Sequence, residues 1–478
     1  MSTAVHPATG PRSLAELEQP PGLPWVGNAF QLDPARMHAQ LETWAQQFGR
    51  FFCVRIGSRR MLAVNDAALA QQILRDRPEG FRRFHKLEET AKDLLMNGLF
   101  TSEGERWREQ RRVWLATLNA QQLRHFHDQL MAITRKLLRR WQQAADEGRA
   151  VDVASDLMRY TVDVTMQFAL GHQADTLERG EDVIQRHLDK IFPALGRRVR
   201  GLFPYWRYFK LPKDRELDRA LAALRAEVGA LIEQARARLR ERPGEPATCF
   251  LEAFLLEHER DGARISDEDV FANTMTVLLG GEDTTANTMA WLIHCVSDRP
   301  DVYANLRAEA DAMLDAPGAP DPEVPCADRF PHLLRHTDAA INETLRLRPV
   351  APLFMLETLR DTSLDRLAVP KGTELFLLLR SAAGSAPVSV PPPRFEPAVD
   401  AARADAGPGR GPTLPFGYGP RLCPGRNLAL AELRSTTLML ARNFDLEAVP
   451  GERPVSELFR FTLVPTDLKI RFKRRQKA

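Results

Sequence analysis

The stretch over residues 105–348 most constrains the fold, because its pattern is helical almost throughout. Apolar residues recur at helical spacing in segments such as AALRAEVGALIEQARARLRER and SDEDVFANTMTVLLGGEDTTANTMAWLIHCV, which is typical of amphipathic helices. Residues 35–48 predict another such helix, and the following FFCVRIGSRRMLAVND predicts a hairpin that turns at GSRR. The chain is therefore expected to be mostly α with a small β part.

The composition indicates a globular protein. Hydrophobic residues make up 44% of the chain, charged residues 27%, and the formal net charge is +3, which excludes a disordered chain and gives no basis for nucleic-acid binding. No apolar run has the length of a signal peptide core or of a bilayer span. The sequence therefore predicts a soluble, cytoplasmic protein with no transmembrane anchor and no nucleic-acid partner.

The chain offers no repeat and no credible linker, so we expect one domain over residues 1–478. Residues 1–19 are expected to be a disordered or extended tail. Residues 381–420 are rich in Pro, Gly, Ala and Ser, which predicts a long and mostly irregular connection. Loops of that length are usually functional or disordered.

One cysteine stands apart from the others. The cysteines are odd in number and scattered, without a CxxC pair, which argues against a disulfide framework or a zinc site; they are Cys53, Cys249, Cys295, Cys326 and Cys423. A functional cysteine therefore acts alone. The stretch PFGYGPRLCPG surrounds Cys423 with glycine and proline, and the helical pattern RNLALAELR follows directly.

A thiolate at Cys423 would be a soft, electron-rich ligand for haem iron, which such a ligand biases toward splitting dioxygen. Gly417 and Gly425 would let the backbone approach a porphyrin face. The helix that begins near Arg426 would offer N–H groups to the sulfur, and Arg421 would reach a haem carboxylate. The alternative is a buried structural cysteine in a Gly/Pro loop.

The segment FGYGPRLCPG fits the pattern F-x-x-G-x-R-x-C-x-G at every fixed position, and here the sequence resembles the cytochrome P-450 family. The resemblance implies a large helical region with a long central helix, and a heme b (iron protoporphyrin IX) between that helix and the cysteine-loop helix. It also implies that Cys423 is the axial iron ligand. The haem-binding residues that it implies in this loop are Phe416, Gly417, Arg421 and Gly425.

The segment GGEDTT, residues 280–285, resembles the oxygen-activation motif of the same family. Each mid-helix glycine costs about 1 kcal/mol relative to alanine, and a threonine hydroxyl that bonds the carbonyl one turn earlier can open the helix into a groove. Gly280 and Gly281 would then admit a flat cofactor. The resemblance makes Thr284 the hydroxyl that hydrogen-bonds iron-bound oxygen and Asp283 the acid of the proton relay, with Glu282 at the variable position. The alternative is a surface helix with an acidic patch.

In NETLRLRP, Glu343 and Arg346 lie three apart on one helix face. Alone, such a pair is usually a solvated surface pair. The resemblance implies that these two residues and Arg394 form a buried charge cluster that holds the cysteine loop in place.

In GERWREQRR, Trp107 and Arg111 lie one helical turn apart. An indole N–H and a guanidinium can both donate to one carboxylate, and the resemblance assigns this pair to the haem propionates. The alternative is a basic amphipathic helix with a core tryptophan.

Residue 424 is a proline, which has no N–H to donate. The sulfur of Cys423 should therefore rely on the amides of Gly425 and Arg426. Fewer donors leave more electron density on sulfur and iron, so we expect the residue at 424 to influence the haem reduction potential.

Apolar residues close to these motifs predict a pocket for a hydrophobic small molecule, such as a fatty acid, terpene, steroid or polyketide-like compound. The candidates are Thr276, Leu279, Gly280, Val350, Ala351, Leu353 and Phe461.

Residues 197–213, RRVRGLFPYWRYFKLPK, interleave aromatic rings with positive charge. We expect this segment to form a substrate lid, with a weak membrane contact as the alternative.

The resemblance implies a haem-thiolate monooxygenase that inserts one oxygen atom of dioxygen into a C–H bond or a double bond, by hydroxylation or epoxidation. The chain ends soon after the cysteine helix, so we expect its electrons to come from a separate ferredoxin or flavodoxin with its reductase. We also expect a monomer. Basic residues would attract such an acidic partner; they include Arg108, Arg112, Arg421 and Arg426.

Two alternatives to this function stay open. A peroxygenase or a non-oxygenating haem-thiolate enzyme would keep the fold, but the intact Asp283 and Thr284 argue against it, because those reactions do not need the proton relay. A haem-based sensor would not be an enzyme at all. It would need a signalling or DNA-binding segment, and the sequence offers none.

Overall fold

The structure is a computed structural model that describes residues 12–475, apart from 181, 202, 261–265, 316–322, 325–333, 387–393, 399–412 and 452. Much of the predicted connection over residues 381–420 and also Cys326 lie outside the described residues.

The chain divides into two compact units. The sheet unit comprises Met1–His85, Ala351–Arg394 and Asp405–Leu422, and the helical unit comprises Lys86–Val350, Phe395–Ala404 and Cys423–Ala478. The single-domain organisation stays a prediction.

The α-helices follow the predicted periodicity along most of the chain. In the described residues they are α1 Met37–Phe48, α2 Ala67–Arg75, α3 His85–Asp93, α4 Gly104–Thr117, α5 Ala120–Asp146, α6 Val153–Leu170, α7 Thr176–Arg179, α8 Val183–Arg200, α9 Pro212–Glu241, α10 Phe250–Arg260, α11 Asp267–Gly281, α12 Asp283–Ser297, α13 Pro300–Asp315, α14 Arg335–Leu347, α15 Leu379–Ala382 and α16 Arg426–Asn443.

The strands of the described residues are short. They are β1 Phe51–Ile56, β2 Arg59–Val64, β3 Phe81–Arg83, β4 Ala150–Asp152, β5 Leu353–Thr358, β6 Thr362–Leu364, β7 Leu367–Val369, β8 Glu374–Leu378, β9 Phe444–Ala448, β10 Ser456–Phe459, β11 Leu463–Thr466 and β12 Lys469–Arg474. The fold class, mostly α with a small β part, is therefore as predicted.

The sheet unit is built on a five-stranded sheet in the order β1-β2-β8-β5-β3. The predicted hairpin is confirmed, since β1 pairs antiparallel with β2 from Phe51 opposite Val64 to Ile56 opposite Arg59. Strand β2 pairs parallel with β8, and β8 pairs antiparallel with β5. Apolar residues of these strands and of α2 form the core of the unit; they include Leu62, Val64, Ile73, Leu356 and Leu377.

The second part of the tail predicted over residues 1–19 is not extended but packs against the sheet unit. Leu14–Glu16 forms a 3₁₀ helix, and Leu17 is buried in the core of the sheet unit. Residues 1–11 lie outside the described residues. A leucine that can be buried against a hydrophobic core stabilises an ordered segment by roughly 2 kcal/mol, which explains why the chain is packed from this point.

The helical unit packs α6 against α11 and α12. Side-chain caps define where these helices begin: Asp152 accepts from the backbone N–H of Ser155 at the start of α6, and Ser266 accepts from that of Asp269 at the start of α11. Such caps stabilise a helix by about 1 kcal/mol each. Within the described residues, no helix combines the length and the apolar character needed to cross a membrane.

The central helix is opened near its two glycines, where the sequence predicted that a threonine hydroxyl could open it. It is interrupted at Glu282, whose backbone lies at φ −80° and ψ −78°, so that α11 ends at Gly281 and α12 begins at Asp283. The two glycines explain the location of the break, because glycine is the residue least committed to helical geometry apart from proline.

Candidate active site

Cys423 lies at the start of α16. Gly425, two residues after Cys423, is the N-terminal cap of that helix. A Cβ at Gly425 would lie 3.9 Å from the sulfur of Cys423. The thiol is half-buried. The sulfur therefore lies beside the first backbone N–H groups of a helix, where a negative charge is favoured.

The remainder of the cysteine loop belongs to the sheet unit. Phe416, Gly417 and Arg421 are half-buried there, and Gly417 has a φ of +77° that favours glycine. Gly419 is required for packing, because a Cβ there would lie 2.8 Å from the carbonyl oxygen of Leu74 in α2. The haem-binding roles of Phe416, Gly417 and Arg421 stay predictions.

Arg111 and Cys423 interact electrostatically within the helical unit. Burial lowers the pKa of the Arg111 guanidinium, and the neighbouring Cys423 acts in the opposite direction and favours the charged form. Trp107 is 5% exposed, one turn earlier on α4. The predicted pair therefore lies on a helix that brings a cation close to the cysteine, although its contact with propionates stays a prediction.

Cys423 differs from the other described cysteines in its surroundings. Cys53, Cys249 and Cys295 are free thiols, of which the first two are buried. Burial raises the pKa of all three, to about 11 for Cys249 and to about 12 for Cys295. These thiols remain protonated at neutral pH and are poor metal ligands. Of the described cysteines, Cys423 is thus the one suited to bind a metal as thiolate.

The break in the central helix is stabilised as the sequence predicted. The hydroxyl of Thr284 donates to the carbonyl oxygen of Gly280 at 2.7 Å. Gly280 is exposed in a helix whose other residues are mostly buried, and no neighbouring element comes within 4 Å of where its Cβ would be. Thr276, Gly280 and Thr284 follow one another at intervals of one turn, and of these three residues Gly280 leaves the open position.

Gly281 is needed for a different reason. A Cβ at this position would lie 2.5 Å from Oγ1 of Thr165 on α6. Thr165 is buried, so it has little room to move away. Of the two glycines, Gly280 leaves space on the open face, and Gly281 permits close packing of α11 against α6.

Two acids follow the glycines. Burial raises the pKa of Asp283, the nearby Asp189 raises it further, and Arg460 lowers it. Burial also raises the pKa of Glu282, well above its ordinary value, and repulsion from Asp283 adds to that effect. Glu282 is only 3% exposed. Both carboxyls are therefore stabilised in their protonated forms.

Glu343 and Arg346 form a buried, bidentate ion pair on α14. The guanidinium donates from Nε to Oε2 and from Nη2 to Oε1, both at 2.7 Å, and each residue is 6% exposed. The backbone N–H of Glu396 also donates to Oε1 of Glu343 at 3.0 Å. Arg394 is exposed and belongs to the sheet unit, so its membership of the cluster stays a prediction.

The candidate pocket residues fall into both units. In the helical unit, Leu279 and Val350 are buried, Thr276 is half-buried, and Phe461 is 37% exposed in the turn between β10 and β11. Ala351 and Leu353 belong to the sheet unit, where Leu353 begins β5. The ring of Phe461 meets that of Phe100 edge to face, with 5.9 Å between the ring centroids, and Phe100 is a residue that sequence reasoning missed.

A second missed residue is Asn273, which is fully buried in α11. Its Oδ1 accepts from the backbone N–H of Leu99 at 3.0 Å and from the indole of Trp114 at 2.7 Å. Gly98 lies against the same helix, since a Cβ there would lie 2.2 Å from Oγ1 of Thr276. An asparagine in an otherwise apolar helical stretch was the available signal, because buried amides require partners.

The segment over residues 197–213 has an exposed and an anchored part. Phe203, Tyr208 and Phe209 are more than half exposed. Trp206 is buried and donates from its indole to Asp93 at 3.0 Å. This arrangement agrees with a segment that presents aromatic rings at the surface of the helical unit, and its role as a lid stays a prediction.

These residues fit a haem held by thiolate. A half-buried sulfur lies at a helix N-terminus, a guanidinium acts on it, and Gly280 leaves an open face on the broken helix. Cys423 would be the iron ligand, and Arg111 with Trp107 would hold haem carboxylates. The site therefore has the features of a haem-thiolate enzyme.

Comparison with known proteins places the chain in a family. Residues 17–473 match the sequence model of the family described as cytochrome P450. The chain belongs to the cytochrome P450 family, whose cofactor is a haem bound through a cysteine thiolate, and it is a cytochrome P450 monooxygenase. The resemblance on which the sequence analysis relied is confirmed.

Two curated relatives cover nearly the whole chain. Cyclooctat-9-en-7-ol 5-monooxygenase of Streptomyces melanosporofaciens is 28% identical over 456 residues, which are 92% of this chain and 94% of that protein. The mitochondrial 25-hydroxyvitamin D-1 alpha hydroxylase of Homo sapiens is 26% identical over 480 residues, 95% of this chain and 91% of that protein.

A solved structure confirms the fold. The crystal structure of a cytochrome P450, CYP102L1, is 24% identical and superimposes with a TM-score of 0.83 over 98% of this chain and 100% of that chain. The predicted cytochrome P-450 fold is therefore correct.

Proposed function

We propose that this monooxygenase inserts one oxygen atom of dioxygen into a hydrophobic small molecule, by hydroxylation or epoxidation. The observation that carries the proposal is the bond from Thr284 to the carbonyl of Gly280 at the helix break, directly after the acid Asp283. The hydroxyl of Thr284 and the carboxyl of Asp283, beside an open helix face, can transfer protons to a bound molecule. Reactions that do not consume protons have no need of this transfer.

The haem, when bound, supplies the iron chemistry that activates dioxygen. Cys423 would hold it, with the N-terminus of α16 stabilising the charge on the sulfur. Arg111 and Trp107 would orient it by donating to its carboxylates. Thr284 would then hold a proton at Oγ1 near the reacting oxygen.

Asp283 would supply protons to this hydroxyl. Burial and the nearby Asp189 raise the pKa of Asp283, so the carboxyl exchanges a proton more readily near neutral pH than an exposed aspartate does. General acids work best when their pKa lies near the working pH. Arg460 limits the shift, since it favours the charged form.

The substrate is proposed to be hydrophobic. Val350, Leu279 and the Phe100–Phe461 pair supply apolar surface in the helical unit, and pockets of this kind hold apolar ligands with few polar anchors. The names of two relatives say that they oxygenate cyclooctat-9-en-7-ol and 25-hydroxyvitamin D. Both names support a compound library that includes terpene and steroid alcohols beside fatty acids and macrolides.

Cytochromes P450 need a redox partner, and we infer an acidic ferredoxin or flavodoxin. Arg108, Arg112 and Arg426 are exposed in the helical unit, and Arg108 pairs with Glu105 at 2.7 Å. Exposed cations near the cysteine helix would accelerate association with an acidic partner at low salt. Monomeric state and cytoplasmic location stay predictions.

The experiment that tests this function has two parts. Carbon monoxide added to the reduced protein should give the spectrum of thiolate-ligated haem, and Cys423→Ser should abolish it. A spin-state screen over the library above, followed by product analysis in isotopically labelled dioxygen, should then find a substrate that gains one labelled oxygen. A spectrum typical of histidine-ligated haem, or a product without label, would contradict the proposal.

A further inference from the structure

Glu282 occupies the helix break with a side chain that has no partner for one of its oxygens. The residue is 3% exposed, and within the described part of the chain its Oε1 is buried without a hydrogen bond. A buried carboxylate oxygen without a donor costs about 1–3 kcal/mol or more. The structure would lower that cost if the carboxyl were protonated and an acceptor lay beside it.

Gln185 on α8 provides such an acceptor. Its Nε2 donates to Oδ1 of Asp189 at 3.0 Å, and because a carboxylate only accepts, this contact fixes which end of the amide is the oxygen. Oε1 of Gln185 is also buried without a partner in the described residues. The Gln185 side chain also hydrogen-bonds the Glu282 carboxyl and lowers its pKa, which opposes the larger effect of burial. One proton on Glu282 would satisfy both oxygens.

The charged groups around Glu282 favour the same form. Those that act on it are Asp283 on α12, Asp189 on α8 and Asp182 at the cap of α8, and all are acids. Thr165, which packs against Gly281 from α6, is neutral. Burial raises the pKa of Glu282 well above its ordinary value, and the three acids raise it further.

Asp189 connects this position with solvent. Its side chain is exposed, Gln185 beside it is half-buried, and Glu282 is buried. Asp182 is engaged elsewhere, since its Oδ2 lies 3.1 Å from Nε2 of His172. The described groups therefore follow one another from the surface of α8 through Gln185 to the buried Glu282, on which Asp283 acts electrostatically.

We propose that Glu282 is a second acid of the proton relay, which carries a proton in the resting protein and passes it to Asp283. The O–H bond of Glu282 breaks as a new O–H bond forms on the carboxylate of Asp283, and Glu282 then regains a proton from solvent. No electron moves in this step. The inference rests on the proposed function, because it assigns Asp283 as the receiving acid.

The test combines infrared spectroscopy with turnover of the haem-loaded protein. At mildly alkaline pH, the wild type should show the carbonyl stretch of a protonated carboxylic acid, which Glu282→Gln removes. The same variant keeps an N–H donor for Gln185, so it should retain its fold and its carbon monoxide spectrum. Its product formation should fall about tenfold, which is less than for a group that acts directly on the reacting atoms. The solvent isotope effect on turnover should change as well. Glu268→Gln, an exposed glutamate at the start of α11, should change none of these.

The infrared result is independent of turnover. A wild type without the carboxylic acid band, or a Glu282→Gln variant that retains the band, overturns the inference whether or not a substrate is oxygenated. Unchanged product formation and isotope effect in Glu282→Gln overturn it too. If Glu282→Gln fails to load haem, Gln185→Leu should shift the band by removing its acceptor, and an unshifted band counts against the proposal. Failure of the wild type to oxygenate any compound would instead refute the proposed function.

Discussion

The hydroxyl of Thr284 donates to the carbonyl oxygen of Gly280 at 2.7 Å across the break between α11 and α12. The hydroxyl hydrogen is therefore engaged with the backbone, and Oγ1 retains lone pairs that can accept a further hydrogen bond. A proton can reach a bound molecule through this oxygen only if the side chain is a hydroxyl.

Replacing Thr284 with valine should uncouple electron consumption from product formation. The shape is preserved but the hydroxyl is lost, so we expect product per electron to fall about 100-fold, at the lower end of a single acid–base contribution. Product and hydrogen peroxide measured against reductant consumed check this. Thr284→Ser keeps the hydroxyl and should retain most of the coupling, and equal coupling in the valine variant would contradict the role.

Removing Arg346 should prevent accumulation of haem-loaded protein. Glu343 would remain buried without its bidentate cation, beside the backbone N–H of Glu396, and such a loss costs about 3–5 kcal/mol. The ratio of haem absorbance to protein in the soluble fraction measures the outcome. Arg434→Ala is a matched control, because Arg434 and Asp338 also form a bidentate pair but are 26% and 35% exposed. That variant should lose about 1 kcal/mol or less, and a haem-replete Arg346→Ala would exclude this role of the pair.

The adjacent glycines of the helix break should respond differently to alanine. Gly281→Ala places a Cβ 2.5 Å from Oγ1 of Thr165 and should destabilise the protein by about 1–3 kcal/mol. Gly280→Ala meets no neighbouring element within 4 Å and should stabilise the haem-free protein by up to about 1 kcal/mol. Thermal unfolding of the two variants gives the comparison. Thr165→Ala should restore part of the loss in Gly281→Ala, and equal effects of the two substitutions would contradict the packing argument.

Introducing an N–H beside the ligand should raise the haem reduction potential. Pro424→Leu adds a donor next to Cys423 and withdraws electron density from the sulfur. A differential stabilisation of about 1 kcal/mol corresponds to roughly 40 mV for one electron. A spectroelectrochemical titration measures the shift. Pro420→Leu, an exposed proline of the same loop, should leave the potential unchanged, and an unchanged or lower potential in Pro424→Leu would refute the prediction.

Glu432 should make the protein less stable as pH rises. This residue of α16 is 1% exposed, and its Oε2 has no partner in the described residues. Burial raises the pKa of the folded carboxyl well above 4.5, so its proton is held to a higher pH in the folded state than in the unfolded state. Its contribution to stability is complete below pH 4.5 and is lost as pH rises through the folded pKa.

Glu432→Gln should remove this dependence. Its thermal midpoint should exceed that of the wild type increasingly from acidic to mildly alkaline pH, corresponding to about 1–3 kcal/mol at the upper end. Glu241→Gln changes an exposed glutamate at the end of α9 and should leave the profile as it is. A pH-independent difference between Glu432→Gln and the wild type would show that the carboxyl does not titrate this way.

The sequence predicted what depends on local spacing. The bond from Thr284 to Gly280 spans four residues, the pair of Glu343 and Arg346 spans three, and both form within one helix. The hairpin of β1 and β2 is local as well. In these cases residue identity and helical or strand periodicity are sufficient.

The sequence did not predict what depends on distant packing. Burial of Glu282 requires α8, about a hundred residues earlier, and nothing in GGEDTT distinguishes a buried acid from an exposed one at its variable position. The parallel pairing of β2 with β8 brings Leu62 opposite Leu375, and no local pattern encodes such a partner. The same holds for the contact between Phe100 and Phe461.

Asn273 fixes two anchors with one oxygen, since Leu99 and Trp114 both donate to its Oδ1. During divergence from related enzymes, a substitution of Asn273 would therefore displace both Leu99 and Trp114. Phe100 follows the anchored Leu99, and its ring meets that of Phe461, a predicted pocket residue. We therefore expect substitutions at residue 100 to change substrate preference while Asn273 maintains the surrounding backbone.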